Sequence, residues 1–134
     1  MGEYNLKIVT PDGILFSGKA KSVIVRTIAG DVCILENHAN YVSPLKTGRA
    51  KITDADGNVR EAAVSGGMIS VTKEQATIVS KTFEWKDEID IKRAEKALKK
   101  AEDKLKSFKK TDREYALAKL KIERALTRIN VGKK

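Results

Sequence analysis

The sequence predicts a β + α chain, an N-terminal antiparallel β-sandwich followed by a C-terminal two-helix antiparallel hairpin, because three properties change together near Trp85. The first is turn chemistry: eight of the nine glycines and both prolines precede Met68, so a turn-rich segment gives way to a turn-poor one. The second is hydrophobic period, which shifts from short β-branched runs to a repeat of three or four residues. Charge is the third. Residues 1–85 carry 10 Lys and Arg against 9 Asp and Glu, net +1, whereas residues 86–134 carry 17 against 9, net +8. The expected organisation is a sandwich domain over residues 1–85 and a basic helical hairpin over residues 86–134.

Strands are expected over residues 4–9, 14–17, 22–27, 31–35, 49–53, 59–65, 68–72 and 76–82, each a short apolar or β-branched run bounded by turn residues. Thr10-Pro11-Asp12-Gly13 sets proline where a φ near −65° is wanted and glycine where φ turns positive, and Asp56-Gly57 closes a hairpin. Strand order cannot be read from these signals. Charged residues make up 34% of the chain and aromatics 5%, so the core must rest on Val, Ile, Leu and Ala.

Beyond Trp85, Ile91, Ala94, Leu98, Ala101, Leu105 and Phe108 recur at helical spacing on one face. Thr111-Asp112-Arg113-Glu114 reads as a capping box that starts a second helix, with Tyr115, Ala118, Ile122, Ala125, Leu126 and Ile129 as its apolar stripe. A connection of only a few residues favours antiparallel packing. Alanine seams bury little area, so the hairpin alone is marginal and needs the sandwich, a ligand or a partner.

Several functions are excluded at this stage. Gly13-Ile-Leu-Phe-Ser-Gly18-Lys19-Ala20 approximates a phosphate-binding loop, but Ala20 has no hydroxyl for magnesium and Ser22-Val23-Ile24-Val25 continues as strand where a helix must open. One cysteine and one histidine cannot build a tetrahedral zinc site, and Cys33 is expected to be a small buried apolar residue. His38 has no serine and acid ordered around it and reads as a structural loop histidine, while Gly66-Gly67 suits a turn or bulge between strands. No apolar run approaches the roughly 20 residues of a membrane span, and residues 1–20 lack a secretory pattern, so a cytoplasmic chain is expected. A basic nucleic-acid-binding or coiled-coil adaptor protein is the rival reading of the +8 tail. That tail lacks interleaved aromatics and alternates its lysines with acids, which disfavours nucleic acid.

Pro11-Asp12-Gly13, Gly30-Asp31 with Ile34-Leu35 and His38, Pro44-Leu45, Val64-Ser65-Gly66-Gly67 and Ile89-Asp90-Ile91-Lys92-Arg93-Ala94 occur in the order found in the epsilon subunits of bacterial F-type ATP synthases. The chain resembles that family along essentially its full length. Departures are Cys33, where a small residue is usual, and Glu36-Asn37, where many members have Pro-Gly.

The resemblance implies a non-catalytic central-stalk subunit on the cytoplasmic face of the bacterial membrane, peripheral and held there through the complex. Its implied partners are the gamma subunit and c-ring for the sandwich, and the alpha/beta catalytic hexamer for the extended hairpin. It also implies ATP as a regulatory ligand of the folded hairpin at Glu84, Ile89, Asp90, Arg93, Arg124 and Arg128, with no catalytic residue and no metal. The residues themselves allow plainer readings: Asp90 and Arg93 suit a first-turn ion pair, and Arg124 and Arg128 a solvated pair away from the apolar stripe.

Overall fold

A computed structural model describes residues 2–109 and 112–133. Seven strands, β1 (Tyr4–Thr10), β2 (Gly13–Thr27), β3 (Gly30–Ile34), β4 (Tyr41–Pro44), β5 (Gly48–Asp54), β6 (Val59–Val71) and β7 (Gln75–Trp85), precede a 3₁₀ turn (Lys86–Glu88) and two helices, α1 (Ile91–Leu105) and α2 (Arg113–Lys133). The expected sandwich and helical pair are both present.

Two expected breaks are bends, which merges eight expected strands into six, and the unexpected β4 makes seven. Residues 14–17 and 22–27 are one strand, as are residues 59–65 and 68–72. The first part of β2 pairs with β1, and the part after a bulge between Ala20 and Ser22 pairs with β5 and β3. Likewise β6 pairs first with β5, up to Gly48↔Val64, and then with β4, from Pro44↔Met68. Between those two stretches lie Gly66 and Gly67, at φ 70° and 120°. Both strands therefore serve two layers, turning the corner where a bulge or paired glycines relax the backbone. At Gly67 a Cβ would stand 2.0 Å from the carbonyl oxygen of Val79, so no larger residue fits. β7 pairs antiparallel with β6 and, over its first half, parallel with β1, which closes the structure. One layer thus runs β3-β2-β5-β6-β7 and the other β2-β1-β7-β6-β4. β4 escapes sequence reading because a four-residue strand ending in proline looks like a loop; at the edge of its layer the missing N–H is tolerated.

Between the layers lie Leu6, Ile8, Val23, Val25, Ile34, Ile52, Ile69 and Ile78, none more than 1% exposed. The core is thus aliphatic, as composition requires. The buried Tyr4 hydroxyl donates to the carbonyl of Ile34 at 2.6 Å, which satisfies it, and burial pushes its pKa up. Trp85 closes one end, edge-on to Phe83 at 5.0 Å, with the Arg60 guanidinium 3.7 Å from its ring centre and Asp87 3.9 Å from Arg60.

The expected turns hold: Gly13 and Gly57 have φ 119° and 85°, and Asp54 accepts from the N–H groups of Asp56 and Asn58, each at 2.9 Å. His38 sits in a loop, its ring donating to the carbonyl of Ala39 and edge-on to Tyr41. Cys33, expected to be buried, is exposed. Alternation along β3 turns Ile34 into the core and Cys33 outward.

α1 and α2 pack on a seam of Ala94, Ala101, Ala118 and Ala125, all 4% exposed or less. Leu126, expected in the stripe of α2, is exposed, because alanines let the helices approach so closely that the seam is narrow. Close approach is extreme at Gly132, where a Cβ would lie 3.0 Å from Ile91 and 3.2 Å from Ile89. The capping box involves Thr111, which lies outside the described residues; Asp112 accepts from the N–H of Lys109 at 2.9 Å just before α2.

Candidate functional site

The hairpin lies on the first of the two layers, with α2 over β6 and β5. Ala62, Ala63, Val64 and Ser65 of β6 are consecutively buried, an unusual run for a strand. Alternation sends Ala62 and Val64 into the sandwich and Ala63 and Ser65 outward, under α2. Small outward residues let the helix approach, and apart from the buried Val131 they leave its hold largely to polar groups.

Three arginine contacts supply that hold. Arg128 binds Glu84 of β7 bidentately, Nε to Oε1 at 2.6 Å and Nη2 to Oε2 at 3.0 Å, with both side chains about two-thirds buried. The hydrogen bond to Glu84 raises the Arg128 pKa, partial burial opposes it, and the charges of Glu84 and Asp90 add to the rise. One turn earlier, Arg124 Nε donates to Ser65 Oγ at 2.9 Å. From the sandwich side, Arg49 of β5 donates to Asn130 of α2, to Oδ1 at 2.8 Å and to the backbone oxygen at 3.2 Å, while Glu61 holds its other amino group at 2.8 Å. Arg124 and Arg128, read from the sequence as a solvated pair, therefore face the sandwich.

Asp90 caps α1, accepting from the backbone N–H of Arg93 at 3.0 Å. The first-turn ion pair expected as the plain reading is absent among the described residues, since the Asp90 carboxylate serves the backbone instead. Arg93 is exposed and makes no ion pair among the described residues. Ile89 is half-buried and packs close to Gly132.

Glu84, Arg124 and Arg128 line a cleft of about 350 Å³ between the sandwich and α2, together with Ser65 and Lys81. Ile89, Asp90 and Arg93 do not line it; they sit at the start of α1. Ser65, Lys81, Arg49 and Asn130 were not singled out as site residues from the sequence. Ser65 and Arg124 are 59 positions apart, Arg49 and Asn130 81, and no local pattern joins such pairs.

Among the described residues no helix packs on the outer face of the second layer, and an apolar row crosses it. Register aligns Pro44 with Met68, Met68 with Val79, Val79 with Val9 and Val9 with Ile14. In-register partners share a face, so five strands contribute one line of apolar side chains. Met68, Val79 and Ile14 are 48%, 51% and 58% exposed. A contiguous exposed patch of this kind marks an interaction surface. Among the described residues there is no metal-ligating cluster and no helix long and apolar enough to cross a membrane.

Comparisons with known proteins converge. Residues 3–86 match the model of the ATP synthase delta/epsilon chain β-sandwich domain, and residues 87–133 that of its long α-helix domain. The chain is 39% identical over 136 aligned positions to the ATP synthase epsilon chain of Ruminococcus albus, covering 100% of this chain and 99% of that one. With the ATP synthase epsilon chain of Clostridium botulinum strain Alaska E43 it shares 41% identity over 128 positions, covering 96% and 94%. A chain from the cryo-EM structure of the Euglena gracilis mitochondrial ATP synthase has the same fold, with a TM-score of 0.85 at 19% identity over 100% of this chain and 83% of that one. On sequence along both of its parts, the chain belongs to the ATP synthase delta/epsilon family.

Proposed function

We propose that this epsilon-family chain works in the central stalk of a bacterial rotary ATP synthase as a detachable brake: the sandwich anchors it to the gamma subunit and c-ring, and the hairpin moves. The subunit itself is non-catalytic. Folded on the sandwich, the hairpin permits turnover; extended, it enters the alpha/beta hexamer and opposes rotation in the hydrolysis direction. The complex holds the subunit peripherally at the cytoplasmic face of the membrane.

The observation that carries this reading is the chemistry of the sandwich–hairpin contact. Three arginine-centred contacts over small residues hold α2, where a permanent domain interface would bury large apolar side chains. Such a contact opens without exposing a hydrophobic core. The net charge of +8 on residues 86–134 suits an acidic destination for the released helices. The apolar row across β4, β6, β7, β1 and β2 gives the sandwich a separate surface for gamma, so anchoring and release do not compete.

ATP is the proposed sensor ligand of the folded hairpin, through Glu84, Ile89, Asp90, Arg93, Arg124 and Arg128. At ten times its dissociation constant a ligand specific to one state stabilises that state by about 1.4 kcal/mol, a tenfold shift. Titrating ATP into the isolated chain should raise its helix signal and melting temperature; no response at millimolar ATP removes the sensor role. Truncation after Trp85 should raise ATP hydrolysis by the reconstituted enzyme while gamma binding survives. Unchanged hydrolysis rules out the brake.

A further inference from the structure

The last turn of α2 comes back to the point from which the hairpin springs. Because α2 returns along α1, Val131 and Gly132 lie beside the 3₁₀ turn and the start of α1. Apart from the seam alanines Ala118 and Ala125, Val131 is the one buried residue of α2 among the described residues, at 1% exposure. It lines a recess of the sandwich with Ile24 of β2 and Gly48 of β5. One residue later, Gly132 faces the linker: a Cβ there would stand 3.0 Å from Cγ1 of Ile91 and 3.2 Å from Cγ2 of Ile89. Arg60, Lys86 and Asp87 surround the same glycine. Glycine is a poor helix former, and Gly132 has no positive φ that would call for it. Space is the reason it is there.

We propose that this turn is a latch across the hinge: Val131 is the bolt seated in the sandwich, and Gly132 is the gap that lets the turn pass Ile89 and Ile91. Adjacent helix positions point about 100° apart, so one turn can grip the sandwich with one residue and skim the linker with the next. A swing of the hairpin about residues 86–90 carries Gly132 and Ile91 together, parts Gly132 from Ile89 and draws Val131 out of its recess. The arginine contacts can be exchanged for contacts with water, whereas an exposed Val131 has no such replacement. Val131 therefore sets the threshold for opening, and the arginines set where α2 lies when shut. The proposal rests on the reading of the hairpin as the moving part and adds what holds it closed.

The test uses the full chain and amide hydrogen exchange, which reads the opening of α2 separately from unfolding of the core strands. Val131→Ala and Gly132→Val should each speed exchange over α2 about tenfold, the first by emptying the recess and the second by overfilling the gap, with the core strands unchanged. Ile91→Ala makes room beside position 132, so adding it to Gly132→Val should bring exchange back to within about threefold of the unaltered chain. Rescue by a second truncation cannot come from a general loss of folding. Leu126→Ala, at an exposed position of the same helix, should change exchange by less than about twofold. Unaltered exchange in Gly132→Val, or a double variant as open as Gly132→Val alone, overturns the latch. In the reconstituted enzyme Gly132→Val should lower ATP hydrolysis several-fold, because more hairpins stand extended. If α2 exchanges faster while hydrolysis holds, the latch stands and the brake reading falls. If truncation after Trp85 raises hydrolysis while Gly132→Val leaves exchange unaltered, the brake stands and the latch falls.

Discussion

The two contacts made by β6 differ in kind. Through Ala62, Val64, Ile69 and Val71 the strand enters an aliphatic core of branched side chains shielded almost completely from water. Through Ala63 and Ser65 it meets α2, where arginines and small residues do the work. Burial at about 25 cal/mol per Å² fixes the first contact, whereas the second depends on directional bonds that water can replace. One strand thus carries a permanent joint and a reversible one, and the chemistry of each side chain says which.

Substitutions sharpen that contrast. Ile78→Ala, at a fully buried core position, should cost about 2–5 kcal/mol in denaturant unfolding and weaken sandwich and hairpin together, since the hairpin docks on the folded sandwich. Arg128→Ala should cost about 1–2 kcal/mol by removing a bidentate pair that is about two-thirds buried, and should release α2 alone. Amide hydrogen exchange separates the two: faster exchange over α2 with the core strands unchanged is the expected pattern, and uniform acceleration would break the distinction. Arg49→Ala is the mildest, about 0.5–1 kcal/mol, because Asn130 can turn to solvent. Its hairpin should open a few-fold more often than that of the unaltered chain, seen as modestly faster protease cleavage in the 3₁₀ turn.

Period and turn chemistry made the fold class legible in the sequence, since aliphatic alternation before Trp85 and alanine-leucine spacing after it each fit one kind of element. Corners were not. Gly66-Gly67 reads as a break between strands, yet the pairing from Ser65↔Thr82 to Gly67↔Ser80 runs straight through it, because glycine bends a strand without ending its ladder. Leu126 fits the helical stripe of α2 by spacing alone, and only the closeness of the alanine seam excludes it. At the candidate site, Glu84, Arg124 and Arg128 could be named by resemblance, but their sharing of one cleft could not be derived from spacing. The apolar row was less accessible still: it requires the register of five strands, and each member taken singly is an ordinary strand residue.

The chain has a single tryptophan, and it sits where the two contacts meet. Trp85 ends the last strand, buried at 6% exposure, under a guanidinium that also reaches Asp87 in the 3₁₀ turn. A swing of the hairpin about that turn should move Asp87 relative to Arg60 and change the field across the indole. The intensity and wavelength of its intrinsic fluorescence should therefore report the hinge with no label attached, and a spectrum indifferent to the Arg128→Ala release of α2 would break that expectation.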